Sequence, residues 1–223
     1  MAERWVVLGG WSLSPELLRP LFGDDAVMCD TNLLMPELIA GDRLRDDWRS
    51  RALRWLRPQL PQPPFGLAGW STGSMIAWAV APPLKPTSLA MLSATPSFCA
   101  TPSFPHGTRP RVLERMRSAL PHDPQAVLAS FRERCGMDPG DTAPSYGTTT
   151  LTAGLSFLRH ANLPPLEPPP FPVRFFHGAE DQIIPPKAGR SFAAMIEAPF
   201  SELSGGHAFF AEHGSILRDA FGG

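Results

Sequence analysis

A mostly parallel α/β sheet of about six strands, interrupted by an inserted helical cap, is the fold class the sequence predicts. Three observations carry that expectation. Short apolar runs alternate with helical patterns along most of the chain, the signature of a parallel sheet covered on both faces. The alternation fails over residues 99–172, which are rich in proline and arginine and contain no good strand. A length of 223 residues with 43% hydrophobic side chains suffices for one sizeable core, so residues 1–223 are expected to form a single domain.

The elements follow in order. WVVLGG at 5–10 is a β-branched run stopped by glycines, a first strand. SPELLRPLF at 14–22 brings a Ser cap and a Pro at the first helical position, a helix start. DAVMCDTN, 25–32, reads as the second strand and is expected at the sheet edge, where a second copy of the chain can pair with it. Residues 41–60 read as one helix, with Leu44, Trp48, Leu53, Trp55 and Leu56 broadly on one face. FGLAGWS is a third strand that runs into a helix from Gly73 to about Pro82. SLAMLSATPSF, VRFFHGAED and FSELSGGH supply the fourth, fifth and sixth strands, while KAGRSFAAMIEA and FFAEHGSILRDAF are helical. Within the interruption, helical patterns at 109–120, 124–135 and 150–160 make the cap, residues 99–172, which closes at the proline-rich NLPPLEPPPFP. There are no internal repeats.

Composition narrows the partners. A net charge of -1 and a pI near 6.6 provide no global field for nucleic acid or an anionic membrane. Six arginines between Arg43 and Arg57 are interleaved with Asp42, Asp46 and Asp47, which favours a salt-bridged outer helix over a nucleic-acid face. No apolar run reaches the roughly 18 residues of a membrane helix, and the N-terminus lacks the pattern of a signal peptide. Cys29, Cys99 and Cys135 are odd in number and widely spaced, so neither a disulfide framework nor a zinc site is expected. A cytoplasmic protein without metal or cofactor fits these features. His106, His122, His160 and His177 have no partner at metal-ligand spacing.

Chemistry enters at LAGWSTGSM, 67–75, where Ser71 stands between Gly69 and Gly73 at the G-x-S-x-G spacing. Glycine and serine are common in turns, so the motif acquires meaning only with its partners. A serine hydroxyl is a weak nucleophile; it needs an imidazole base, a carboxylate to hold that base, and amides aimed at the oxyanion. The motif requires a strand before it and a helix after it, and both are predicted here. The acid and base then follow in the order Asp, His at the ends of later strands: Asp181 past the fifth, His207 past the sixth. Glu180 and Asp30 are the rival acids and His213 the rival base. The oxyanion amides are expected from Thr72, after the nucleophile, and from Trp11, in the loop after the first strand.

With these residues in hand, the chain resembles the α/β-hydrolase superfamily. Within it, the chain is most similar to the pimeloyl-acyl-carrier-protein methyl ester carboxylesterases of biotin synthesis. The resemblance rests on GGWSLSPELL, GWSTGS, HGAEDQIIP and GGHAFF, and spans nearly the whole chain, weakly across the cap. Where that family has His-Gly at the oxyanion turn, this chain has Gly9-Gly10, and the antiparallel strand pair that usually precedes that turn is missing.

The resemblance implies a serine carboxylesterase acting on a small acyl ester, in its sharpest form the pimeloyl methyl ester carried on acyl carrier protein. Ser71, Asp181 and His207 would be catalytic, Trp11 and Thr72 would form the oxyanion hole, and Trp11, Trp70 and Phe131 would shape the acyl pocket, with core packing an alternative account of Trp70. An acidic carrier would need a basic face, for which Arg111 and Arg115 are the leading candidates beside Arg109, Arg117, Arg132 and Arg134. The plainer explanation is composition, since all the basic residues except Lys85 and Lys187 are arginine. Thioesterase, carbon–carbon hydrolase and acyltransferase chemistries use the same triad, and a silent hydrolase-like binding protein is the alternative from another class.

Overall fold

Four buried residues, Trp5–Leu8, form β1, and the rest of the sheet is assembled around it in this computed structural model, which describes residues 4–138, 146–163 and 167–221. β1 is followed by a 3-10 turn at Pro15–Leu18, where the Ser14 hydroxyl accepts from the Glu16 amide, and by α1 (Arg19–Phe22). Next come β2 (Val27–Cys29), α2 (Met35–Leu38), β3 (Ile39–Ala40), β4 (Arg43–Leu44), α3 (Trp48–Leu56), β5 (Gly66–Trp70), α4 (Thr72–Leu84) and β6 (Leu89–Leu92). Then follow α5 (Pro110–Ala119), α6 (Pro124–Cys135), α7 (Thr148–His160), β7 (Val173–Gly178), α8 (Pro186–Met195), β8 (Phe200–Leu203) and α9 (Gly214–Ala220).

Six strands make one sheet in the order β2-β1-β5-β6-β7-β8, every neighbour parallel, with β2 at one edge. The strand order reverses between β1 and β5, so the loops after these two strands diverge and leave a crevice at their carboxyl ends. The register aligns those ends: Leu8 pairs with Gly69, Trp70 with Leu92, Leu92 with Phe176, and Gly178 with Leu203. Ser71, Asp181 and His207 therefore all emerge on one side of the sheet.

Alternation along β7 shows how both faces are filled. Phe175 packs on Phe192 of α8, which also meets Trp78 of α4, while Phe176, one residue on, points the other way to Phe221 after α9. Phe221 stacks on Phe22 of α1 and meets Trp5 of β1. Burial of each such ring stabilises the fold by roughly 1.5–3 kcal/mol.

The expected helix over 41–60 is corrected at its start. Gly41, at φ +60°, turns the chain into a short antiparallel hairpin, Ile39 against Leu44 and Ala40 against Arg43, so Leu44 belongs to a strand. The helix begins at Trp48 and buries Trp48, Ala52 and Leu56, four residues apart, with Leu53 and Trp55 only half-buried. In the chain, α5, α6 and α7 lie between β6 and β7. The third helix is anchored to the body of the domain by an edge-to-face contact between Phe157 and Trp48, centroids 5.3 Å apart.

Candidate active site

Ser71 occupies a turn that the backbone can hold only under constraint. Its φ of 57° and ψ of -120° place a non-glycine residue at positive φ between β5 and α4, a conformation that costs about 1–3 kcal/mol and persists only where the surroundings enforce it. They do so here. The Ser71 amide donates to the Leu92 carbonyl (2.9 Å), and the Ser71 carbonyl accepts from the Ser74 amide (3.0 Å) and hydroxyl (2.6 Å). The flanking glycines are required by close approach: a Cβ on Gly73 would stand 2.2 Å from the Leu8 carbonyl oxygen, and one on Gly69 would stand 2.5 Å from Ser74 Cα.

Asp181, in the turn after β7, is buried and fully engaged. Its Oδ1 accepts from the Ile183 and Ile184 amides (2.8 and 2.9 Å), and its Oδ2 lies 2.7 Å from His207 Nδ1. Burial alone would raise the carboxyl, but the charge of His207 and the hydrogen bonds from His177 and His207 outweigh it and hold Asp181 well below the ordinary carboxylate range. An ionised Asp181 keeps the proton of His207 on Nδ1, which leaves Nε2 with a free lone pair. That Nε2 is buried and has no hydrogen-bond partner among the described residues, so the serine–histidine bond is not formed in this structure. The histidine loop is pinned from three sides: the His207 carbonyl accepts from Trp70 Nε1 (3.1 Å) and the Ser93 hydroxyl (3.2 Å), and the Ala208 amide donates to the Cys135 carbonyl at the end of α6 (3.0 Å).

The Gly9–Ser12 turn after β1 abuts the serine, since a Cβ on Gly10 would stand 3.3 Å from Ser71 Cβ. Two side chains from beyond β2 shape it. Thr31 Oγ1 donates to the Gly9 carbonyl (2.8 Å); Asn32 donates through Nδ2 to the Gly10 carbonyl (3.1 Å) and accepts through Oδ1 from the Ser12 amide (2.8 Å). Trp11 is fastened to the cap, its Nε1 donating to the Leu151 carbonyl of α7 (3.0 Å) and its ring meeting Phe131 of α6 edge-on at 4.9 Å. Thr72 is the first residue of α4, where an amide has no intrahelical acceptor.

Between these groups and helices α5–α7 lies a narrow cleft, lined by Ser71, Trp11, Phe98, Leu113, Met116 and Phe131, among others, and almost wholly apolar. Trp11 and Phe131 line this cleft. Trp70 does not: it is fully buried, lies under the histidine loop with its ring 5.5 Å from that of His207, and lines no part of the cleft. From the end of β5 its ring reaches the Gly10 turn, 3.5 Å from where a Cβ on Gly10 would stand, while its Nε1 holds the His207 carbonyl.

Arg111 and Arg115 are exposed on α5, Arg115 beside a groove between α5 and α6. Arg117 instead pairs with Asp42 (2.6 Å), and Arg134 donates to the Gln182 carbonyl (2.7 Å) at the cleft wall. The rival groups are otherwise occupied. Glu180 accepts from the Gly205 amide, Asp30 accepts from Asn32 and from the Tyr146 hydroxyl (2.6 Å), and His213 bonds to Ser204 through Nε2. No cluster of three or more metal-ligating side chains occurs among the described residues. Two participants were missed from sequence, Asn32 and His177, the latter with Nε2 3.2 Å from Asp181 Oδ2. The HG before the acid loop is the only local signal for His177, and nothing local marks Asn32.

A strained serine at a strand-to-helix turn, beside a buried aspartate–histidine pair on a parallel sheet, defines a hydrolase-type site. The alpha/beta hydrolase family matches residues 6–220, and the chain belongs to that family. Solved structures share its fold at low identity. A bromoperoxidase from Bacillus anthracis superposes with a TM-score of 0.73 at 15% identity, covering 99% of this chain and 90% of that one. The esterase EaEST from Exiguobacterium antarcticum gives 0.71 at 15% identity, covering 98% and 90%. The RedJ thioesterase from Streptomyces coelicolor gives 0.60 at 19% identity, covering 98% and 84%. Comparison with curated protein sequences finds no match. No helix among the described residues is long and apolar enough to cross a membrane.

Proposed function

We propose that this protein is a serine carboxylesterase in which Ser71 is the nucleophile, His207 the general base and acid, and Asp181 the group that orients it. One observation carries the reading: Ser71 opens at positive φ onto an apolar cleft, while Asp181 fixes Nδ1 of a buried histidine whose Nε2 is unpartnered. Ser71 Oγ attacks the ester carbonyl carbon as His207 Nε2 takes its proton, and the amides of Trp11 and Thr72 receive the oxyanion. Collapse of the tetrahedral adduct breaks the ester C–O bond, and His207 returns the proton to the departing alkoxide. Water then attacks the acyl-enzyme, giving a proton to His207, and the acid leaves as Ser71 recovers that proton. These steps need no cofactor.

For the substrate we propose the methyl ester of a pimeloyl chain on acyl carrier protein, released as methanol and the free acid. The motif resemblance, the apolar cleft and the exposed Arg109, Arg111 and Arg115 support it. Three free, buried cysteines suit a cytoplasmic setting; burial pushes Cys29 up to about 12 and Cys99 up to about 11, which leaves these thiols inert. A thioester is the second reading, favoured by the RedJ and BorB thioesterases among the structural neighbours.

The test is turnover of methyl pimeloyl-acyl carrier protein against the same methyl ester without its carrier and against an acyl thioester, with Ser71→Ala as control. Carrier-dependent demethylation lost in the variant is expected. Thioester cleavage alone would replace the ester reading, and turnover that survives Ser71→Ala would remove the nucleophile.

A further inference from the structure

His177 lies on β7, four residues before Asp181, and is 1% exposed. Its Nε2 stands 3.2 Å from Asp181 Oδ2 and 2.9 Å from the Ile184 carbonyl oxygen. Both neighbours are acceptors, so Nε2 carries a proton and shares it between them. Nδ1 finds no partner among the described residues and faces Gly189 of α8, where a Cβ would stand 2.4 Å away. An apolar side chain of similar size would fill this space without stranding a nitrogen, so packing alone does not account for an imidazole here.

Asp181 Oδ2 thus faces two imidazoles, His207 through Nδ1 and His177 through Nε2, while Oδ1 is held by two amides. We propose that His177 is a positioning residue for the catalytic acid: its N–H fixes the plane of the carboxylate and shares its charge, and so sets how strongly Asp181 stabilises the His207 imidazolium. This rests on the triad reading given above. When the donor is removed, the charge of Asp181 falls more fully on His207, the imidazolium is favoured, and the titration of His207 moves to higher pH.

The other charged or titratable groups around the pair are Cys135 and Arg134 on α6, Glu180 on the Gly205 amide, His213 on Ser204, and the Arg190–Glu202 ion pair, whose arginine stacks on Phe200 behind His177. Substitution at 177 replaces none of them.

The experiment compares wild type, His177→Leu and His177→Gln, the last carrying an amide nitrogen that reaches the place of Nε2. Two readouts are taken: the pH profile of kcat and KM on the ester, and the NMR titration of His207 in protein labelled at histidine, assigned with His207→Gln. Although the imidazolium is favoured, the carboxylate is no longer fixed in its plane and lets the His207 ring leave its working orientation, so His177→Leu is expected to lower the plateau kcat by roughly tenfold to a hundredfold with KM little changed. It is also expected to raise both the acid limb and the His207 titration by about half a unit or more. His177→Gln is expected to restore both. An unmoved His207 titration in the Leu variant, or a Gln variant that behaves like Leu, would overturn the proposal. If the Leu variant does not fold, His177→Asn, whose amide is too short to reach, replaces it, and equal titrations for Asn and Gln refute the idea. Were wild type to turn over neither ester nor thioester, the triad reading would fail, while the His207 titration would still decide the role of His177.

Discussion

Asp181 Oδ2 lies 2.7 Å from His207 Nδ1, with both side chains buried, and this contact determines which nitrogen of the histidine faces the chemistry. Asp181→Asn can present an N–H to Nδ1 and hold the ring in the wrong tautomer, with the proton on Nε2. The expected outcome is a loss of kcat of about 10³- to 10⁴-fold with the fold intact, read from steady-state kinetics beside circular dichroism. A loss below tenfold would leave Asp181 without its assigned role.

The same carboxylate makes stability depend on acid. Its folded value is depressed below the unfolded value of about 3.9. Stability from this group is therefore present above about pH 4 and is lost as pH falls through the folded value. Wild type is expected to lose thermal stability below about pH 4 more steeply than Asp181→Asn. Parallel melting curves over that range would show that the charge contributes nothing.

Asn32 ties the Gly10 carbonyl and the Ser12 amide together across the oxyanion turn. Asn32→Ala leaves the Ser12 amide buried without its acceptor, at a cost of about 1–3 kcal/mol in stability. It also loosens the turn whose Trp11 amide is proposed to receive the oxyanion, which is expected to lower kcat by about a hundredfold and KM far less. A melting shift with unchanged kcat would confine Asn32 to a structural role.

On the cap, Arg111 and Arg115 are exposed while Arg117 is committed to Asp42. Reversing Arg111 and Arg115 to Glu is expected to weaken turnover of the carrier-bound ester by about tenfold or more at low salt, through slower association, and to spare the free ester. Equal activity on both substrates in wild type and variant would remove the carrier from this face.

The central strands could be read from the sequence because Trp5–Leu8, Gly66–Trp70 and Leu89–Leu92 are short apolar runs buried along their whole length. The elbow at Ser71 was legible for a related reason, since the close approach of α4 to β1 leaves room only for glycine at Gly73, and that requirement is written locally. The helix at 41–60 was misread at its start because arginines and aspartates suit a helix face and a hairpin equally, and only the pairing of Ile39 with Leu44 distinguishes them. Pocket wall and core packing stay equally open for Trp70 in the sequence, because adjacency to Ser71 does not tell which way a strand-end side chain points.

By itself, then, the sequence determined the alternation of strand and helix and the linear order of Ser71, Asp181 and His207 after successive strands, all of which are properties of short segments. Only the tertiary structure decided that Asn32 braces the turn before Trp11, that Trp70 supports His207, and that His177 shares Asp181 with it. Those relations join groups on different elements, and they exist only once the parallel register brings the carboxyl ends of the strands level and the crossing helices fix how each loop returns.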